Sequence, residues 1–171
     1  MSSHLQQYIL KESTINFVTN AFFNGVIAWF LLRNGTDLTM WGAHSFAFDL
    51  MATAFILLLI VTLIVVPLQR RKLRRGEVSP VQWDQSRWLH RQLQRFPKSL
   101  WGTGALFGLI GLMVFIPLTL VPMLMLGVNH FTPDAYAIFK GLWAGLLAGV
   151  MMGPMIMLGL ATPLAVEVPA T

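Results

Sequence analysis

Nine of the twelve Lys and Arg residues lie between Arg70 and Lys98, and long apolar runs stand on both sides of them. A cluster of this kind between apolar spans does not cross a bilayer cheaply, so it sets which side every other segment occupies. The chain is 56% hydrophobic and only 11% charged. Soluble domains carry about 25% charged residues. A membrane class therefore follows before single residues are read. The net charge of +5 is accounted for by orientation, so nucleic acid is not an expected partner. With no cysteine, disulfides, thiolate metal sites and cysteine nucleophiles are excluded.

The apolar runs predict four spans, at about 15–33, 46–67, 100–126 and 133–162. Residues 1–13 read as a polar cytoplasmic lead-in, with Ser13 or Thr14 capping the first helix. The first run is too long for a signal core and no small-residue cleavage site follows, so a retained helix is expected. Arg33 ends it, followed by an Asn34-Gly35 turn and Trp41 at interface depth. Pro117 and Pro122 interrupt the third span and should bend it. Thr132-Pro133-Asp134 is a strong start for the fourth, with a cap, a proline at the first helical position and an acid in the first turn. The tail from Pro163 reads as an irregular end.

The basic segment, 68–98, is expected to hold an amphipathic helix over 80–96, started by Ser79-Pro80 and stopped by Pro97. Val81, Trp88, Leu89, Leu93 and Phe96 share one side at helical spacing, with Arg87, Arg91 and Arg95 opposite. Such a helix suits the anionic inner leaflet, where Arg87, Arg91, Arg95 and Trp88 would meet lipid headgroups. Loops 34–44 and 127–132 contain no Lys or Arg. That asymmetry puts them outside and both termini in the cytoplasm. The two hairpins then run in the same sense, which argues against an inverted-repeat transporter within one chain.

Three constellations stand out. Gly141, Gly145, Gly149 and Gly153 recur every fourth residue, and Gly104, Gly108 and Gly111 mark the third span. Small residues let helix backbones approach in lipid, so these faces read either as packing of the third span on the fourth or as an oligomer interface. Asn16, Asn20 and Asn24 lie on one face of the first span. Three amides cannot face hydrocarbon unpaired, so they meet another helix or line a polar path. Asp49 is the only carboxylate clearly within a span, and Arg33 and Lys140 are its expected partners.

Catalytic signatures are absent: there is no His-Glu-x-x-His, no Gly-x-Ser-x-Gly and no phosphate-cradling glycine loop. No catalytic residue, cofactor or metal is expected. His44 and His130 stand at loop depth, not mid-span.

Three stretches, Asn16 to Arg33, Val61 to Arg75 with its Pro67-Leu68-Gln69-Arg70-Arg71, and Phe139 to Gly149, resemble a loosely defined group of small, permease-like bacterial inner-membrane proteins. They cover under half the chain. The resemblance implies the topology and a bacterial origin and transfers no site residue. The expected fold is all-α, a four-transmembrane-helix bundle with a cytoplasmic interfacial helix between helices 2 and 3. Two functions are open. One is a small-solute or ion permease or channel subunit acting as a homo-oligomer, with Asn20, Asn24, Asp49 and Lys140 lining its path. The other is a non-transporting accessory or scaffold that assembles with another membrane protein. A path requires the amide stripe and Asp49 to face a hydrated cavity, whereas a scaffold leaves them paired and dry.

Overall fold

The structure, a computed structural model, describes residues 3–161. Helix α1 spans Ser3–Leu32, α2 Phe46–Arg74 and the short α3 Trp88–Gln94. The third span begins as α4, Leu100–Ile110, passes through a π turn, Gly111–Phe115, and continues as α5, Ile116–Met125. Helix α6 spans Pro133–Leu160. Strands β1, Leu38–Thr39, and β2, His130–Phe131, pair antiparallel and tie the two short loops together. Among the described residues four helices are long and apolar enough to cross a bilayer, as a multi-pass membrane protein requires. The end bearing the short loops is called the loop end below, and the other the basic end.

Helix α6 is the centre of the assembly. It packs on α1 on one side and α2 on the other, and α2 in turn holds α4. It is the most enclosed of the four spans, and α1 is the most exposed. On α1, Val18, Phe22, Phe23 and Phe30 lie open. Lipid is as apolar as these side chains, so their exposure costs nothing in a bilayer.

The glycines pack within the chain, but not as the third span on the fourth. A Cβ on Gly141 would stand 2.7 Å from the Ala21 carbonyl oxygen, and one on Gly145 2.7 Å from that of Phe17. The α6 stripe is thus a groove that receives the backbone of α1, antiparallel. The third-span glycines serve α2: Gly104 faces Leu59, Gly108 faces Phe55 and Gly111 faces the Ala54 carbonyl. Spacing identified a close contact; the pairing of whole helices chose the partner.

Helix starts follow the capping residues. Ser45 accepts from the Phe48 amide at 3.2 Å, Ser99 from Gly102 at 3.1 Å and Thr132 from Ala135 at 3.4 Å. Pro117 cannot donate to the preceding turn. The ladder before it widens, and the Ile116 amide reaches back to Gly111.

Three expectations are corrected. Residues 3–14 are helical and extend the first span, so Ser13 and Thr14 are not caps. The Thr14 hydroxyl bonds the Leu10 carbonyl at 2.9 Å, as hydroxyls inside helices do. This extension is tied down at the basic end. Tyr8 donates to Gln69 Oε1 at 2.7 Å, and Lys72 Nζ donates to the Tyr8 hydroxyl at 3.0 Å and to Glu12 at 2.8 Å. Second, no helix fills 80–96. Only Trp88–Gln94 is helical, because Val81 is drawn into an extended bridge with Ala161 and its amide donates to the Leu160 carbonyl at 2.9 Å. Third, α6 ends at Leu160. The expected tail from Pro163 lies outside the described residues.

Close approach sets a clear test. Gly145→Ala should destabilise the chain by about 1–3 kcal/mol, because the new methyl meets backbone that cannot move aside. Gly153→Ala should be near neutral, since a Cβ there meets only Ile9 Cγ2 at 3.5 Å. Unfolding by SDS in mixed micelles measures both, and equal effects would contradict the groove.

Candidate functional site

The site is built at the loop end, where β1–β2 pairing holds the first turns of α2 and α6 side by side. An aromatic cluster positions the first hydroxyl. Phe131 packs edge-on against Phe46 with ring centres 5.1 Å apart and stacks on Phe139 at 5.3 Å. Tyr136 lies 5.8 Å from Phe131 and is fully buried. Its hydroxyl donates to Asp49 Oδ2. Lys140 stands one turn on from Tyr136, on the same face of α6. Its ammonium donates to both Asp49 oxygens, at 2.8 Å to Oδ1 and 2.6 Å to Oδ2. Asp49 itself is in the first turn of α2, where the helix dipole favours a carboxylate.

The triad floors a cavity of about 370 Å³. Leu31, Leu32 and Leu38 give it apolar walls, and Ser45 and His44 bring polar groups to it. Asp49 keeps 40% of its side-chain surface open and Lys140 13%. The carboxylate therefore faces the cavity while the ammonium sits mostly behind it.

Arg33 does not join Asp49. Its guanidinium lies 4.9 Å from the ring centres of both Trp29 and Phe30, a cation–π arrangement on its own helix. The amide stripe is also placed elsewhere. Asn16 Nδ2 donates to the Ala148 carbonyl at 3.3 Å and contacts Met152 Sδ at 3.4 Å. Asn20 donates to Asn16 Oδ1 at 2.7 Å, and Asn24 to the Asn20 carbonyl at 3.0 Å. None of the three lines the cavity. The stripe runs beside the α1–α6 seam, with all three side-chain nitrogens paired.

Of the basic-segment residues, Arg87 pairs with Asp84 at 3.1 Å and Arg91 donates to the Gln85 carbonyl at 3.1 Å. Arg95 closes α3 as its C-cap, and Trp88 is 65% exposed. The Ser86 hydroxyl and amide, with help from Arg87, hold the Asp84 carboxyl below its ordinary range. That local support is present above the ordinary carboxylate pKa and is lost as pH falls through the lowered value. Among the described residues no group of three or more His, Cys, Asp or Glu is placed to hold a metal.

Two features escaped the sequence. Tyr136 carried a signal, its i,i+4 spacing to Lys140, which becomes meaningful only once Asp49 is opposite both. The basic-end cluster of Tyr8, Glu12, Gln69 and Lys72 gave none, because it joins α1 to α2 across some sixty residues. It adjoins a smaller cavity, about 270 Å³, lined by Tyr8, Glu77 and Leu160. Within the cluster, Gln69 Nε2 is buried with no partner among the described residues.

A double-mutant cycle checks the loop-end pair. Asp49→Asn and Lys140→Met should show a coupling energy of about 1–3 kcal/mol in SDS unfolding, the scale for groups in direct contact. Tyr136→Phe alone should cost about 1–2 kcal/mol through the lost hydrogen bond to a charge. A coupling near zero would mean that the pair does not form.

No protein-family model, no curated protein and no solved structure matches this chain.

Proposed function

We propose that the chain is a subunit of a small-solute or ion permease or channel in the bacterial inner membrane, acting as a homo-oligomer. The observation that carries this reading is the loop-end cavity. It is of the size of small-molecule sites, about 300–1,000 Å³, and it ends on an intramembrane charge pair whose carboxylate faces the space. Ionisable groups within spans are costly and mark solute or proton routes more often than plain scaffolding. Below the cavity, Leu50, Ala54 and Leu58 are fully buried. Passage through one chain therefore needs α1 to move on α6, or a route between copies.

In this reading both termini and the basic segment lie in the cytoplasm, and Arg87, Arg91, Arg95 and Trp88 meet anionic lipid there. The second reading, a non-transporting accessory or scaffold protein, is favoured by the amide stripe. Asn16, Asn20 and Asn24 spend their donors inside the α1–α6 pair. None of them lines the cavity, so they do not extend it into a polar path.

Flux into liposomes separates the two. Purified protein should carry protons, monovalent cations or a small solute above the empty-liposome rate. Asp49→Asn should reduce that flux by about tenfold or more, as loss of an ionisable path residue implies. Asn20→Leu should change it far less, since Asn20 does not line the cavity. Absence of flux in every case favours the scaffold. Orientation is read in parallel by maleimide labelling of Thr36→Cys and Ser79→Cys, made in a chain with no cysteine of its own. Only Thr36→Cys should react from outside intact spheroplasts.

A further inference from the structure

We infer that the loop-end cavity binds a small zwitterion, a primary ammonium and an anionic group on an aliphatic or short polar body, with its ammonium on Asp49 and its anion on Lys140. This rests on the reading of that cavity as a ligand site and adds the class of ligand.

The argument is one of charge balance in a place of low dielectric. Asp49 and Lys140 neutralise each other, with contacts of 2.6 and 2.8 Å. The other nearby cation, Arg33, is held on Trp29 and Phe30 and does not reach them. A lone cation that took Asp49 would strip Lys140 of its carboxylate. The Lys140 side chain is only 13% exposed, so its charge would be left largely buried and uncompensated. A lone anion that took Lys140 would leave Asp49, 40% open to the cavity, without a counter-charge and with only the Tyr136 hydroxyl as partner. A zwitterion replaces each partner with its equivalent, and all four charges stay paired. Tyr136 remains a donor to Asp49 throughout, because its hydroxyl lies behind the carboxylate in the fully buried aromatic cluster.

The walls agree with this chemistry. Leu31, Leu32 and Leu38 offer contact to an aliphatic body, while Ser45 and His44 bring polar groups to the same space. An inorganic cation is a lone cation in the same sense, and its seat on Asp49 would leave the Lys140 ammonium without a counter-charge. The same ammonium-plus-anion pattern occurs in two sources, a free amino-acid-like solute and an ethanolamine lipid headgroup.

The test uses the full-length protein in dodecyl maltoside, a detergent without charge. Four probes are compared by equilibrium dialysis and competition: leucine, glycerophosphoethanolamine, 3-methylbutylamine and 4-methylpentanoate. The last two are leucine stripped of one charge each. At least one zwitterion should bind saturably, with both single-charge analogues at least about tenfold weaker, or 1.4 kcal/mol. Asp49→Asn and Lys140→Met should each weaken zwitterion binding by about thirtyfold or more, the scale for removing one partner of a buried charge pair. Leucine binding identifies a free solute as the source, and binding of glycerophosphoethanolamine alone identifies the headgroup. The inference is overturned if either single-charge analogue matches the better zwitterion, or if no probe binds saturably. The ranking on wild-type protein decides this even if a variant fails to fold. Zwitterion binding without its flux in liposomes would remove the permeation reading and leave this one standing. Ion flux without zwitterion binding would do the reverse.

Discussion

Helices in lipid gain little by burying apolar side chains against each other, because the tails they leave are equally apolar. What holds this chain together is therefore close backbone approach, and α6 supplies it. Its glycines admit α1 until a Cβ at Gly145 would lie 2.7 Å from the Phe17 carbonyl. Contacts at this range add many small dispersion gains along the seam. On its other side α6 meets α2, and Ala144, Leu147 and Met151 belong to the buried core. The glycines of α4 and the π turn repeat the device against α2. Remove the α6 groove and α1 keeps mainly the basic-end bonds of Tyr8 and Glu12 to α2.

That seam also decides where charge can sit. Asp49 and Lys72 lie on one helix, roughly 35 Å apart at 1.5 Å rise per residue. Each anchors a cluster of tyrosine, lysine and carboxylate: Tyr136, Lys140 and Asp49 at the loop end, Tyr8, Lys72 and Glu12 at the basic end. The spacing is close to the ~30 Å hydrocarbon thickness, so the two clusters stand in opposite end turns of the apolar stretch. Both join α2 to another helix, α6 in one case and α1 in the other. Between them the buried core is mainly apolar; the Thr62 hydroxyl bonds the Leu58 carbonyl at 2.6 Å within its own helix, and Trp143 Nε1 donates to the Thr119 hydroxyl at 2.8 Å.

The basic segment shows how a strong local pattern yields to long-range pairing. Val81, Trp88, Leu89, Leu93 and Phe96 share a helical face on paper. In the folded chain Val81 is captured by the end of α6, and Phe96 packs on Phe107 of α4 with ring centres 5.1 Å apart. Leu93 and His90 turn inward, while Trp88 faces out. Pinning the segment at both ends leaves only Trp88–Gln94 free to close a helix. A periodicity reading has no knowledge of such anchors.

By itself the sequence determined the four spans, since a run of apolar residues of sufficient length satisfies its backbone in lipid only as a helix. It also determined the start at Thr132, because a capping hydroxyl acts on amides three residues away. It marked Asp49 and Lys140 as charges that must be answered. Tertiary structure decided the rest. It chose Lys140 over Arg33 as the partner of Asp49, brought Tyr136 behind them, and gave the α6 glycines to α1 instead of the third span. It also paired the asparagine stripe along the α1–α6 seam, Asn16 with the Ala148 carbonyl of α6 and Asn20 and Asn24 within α1. Local sequence acts over one or two helical turns, whereas each of these outcomes depends on which helix lies beside which. That is set by the best total fit of whole surfaces, which no single stretch of the chain encodes.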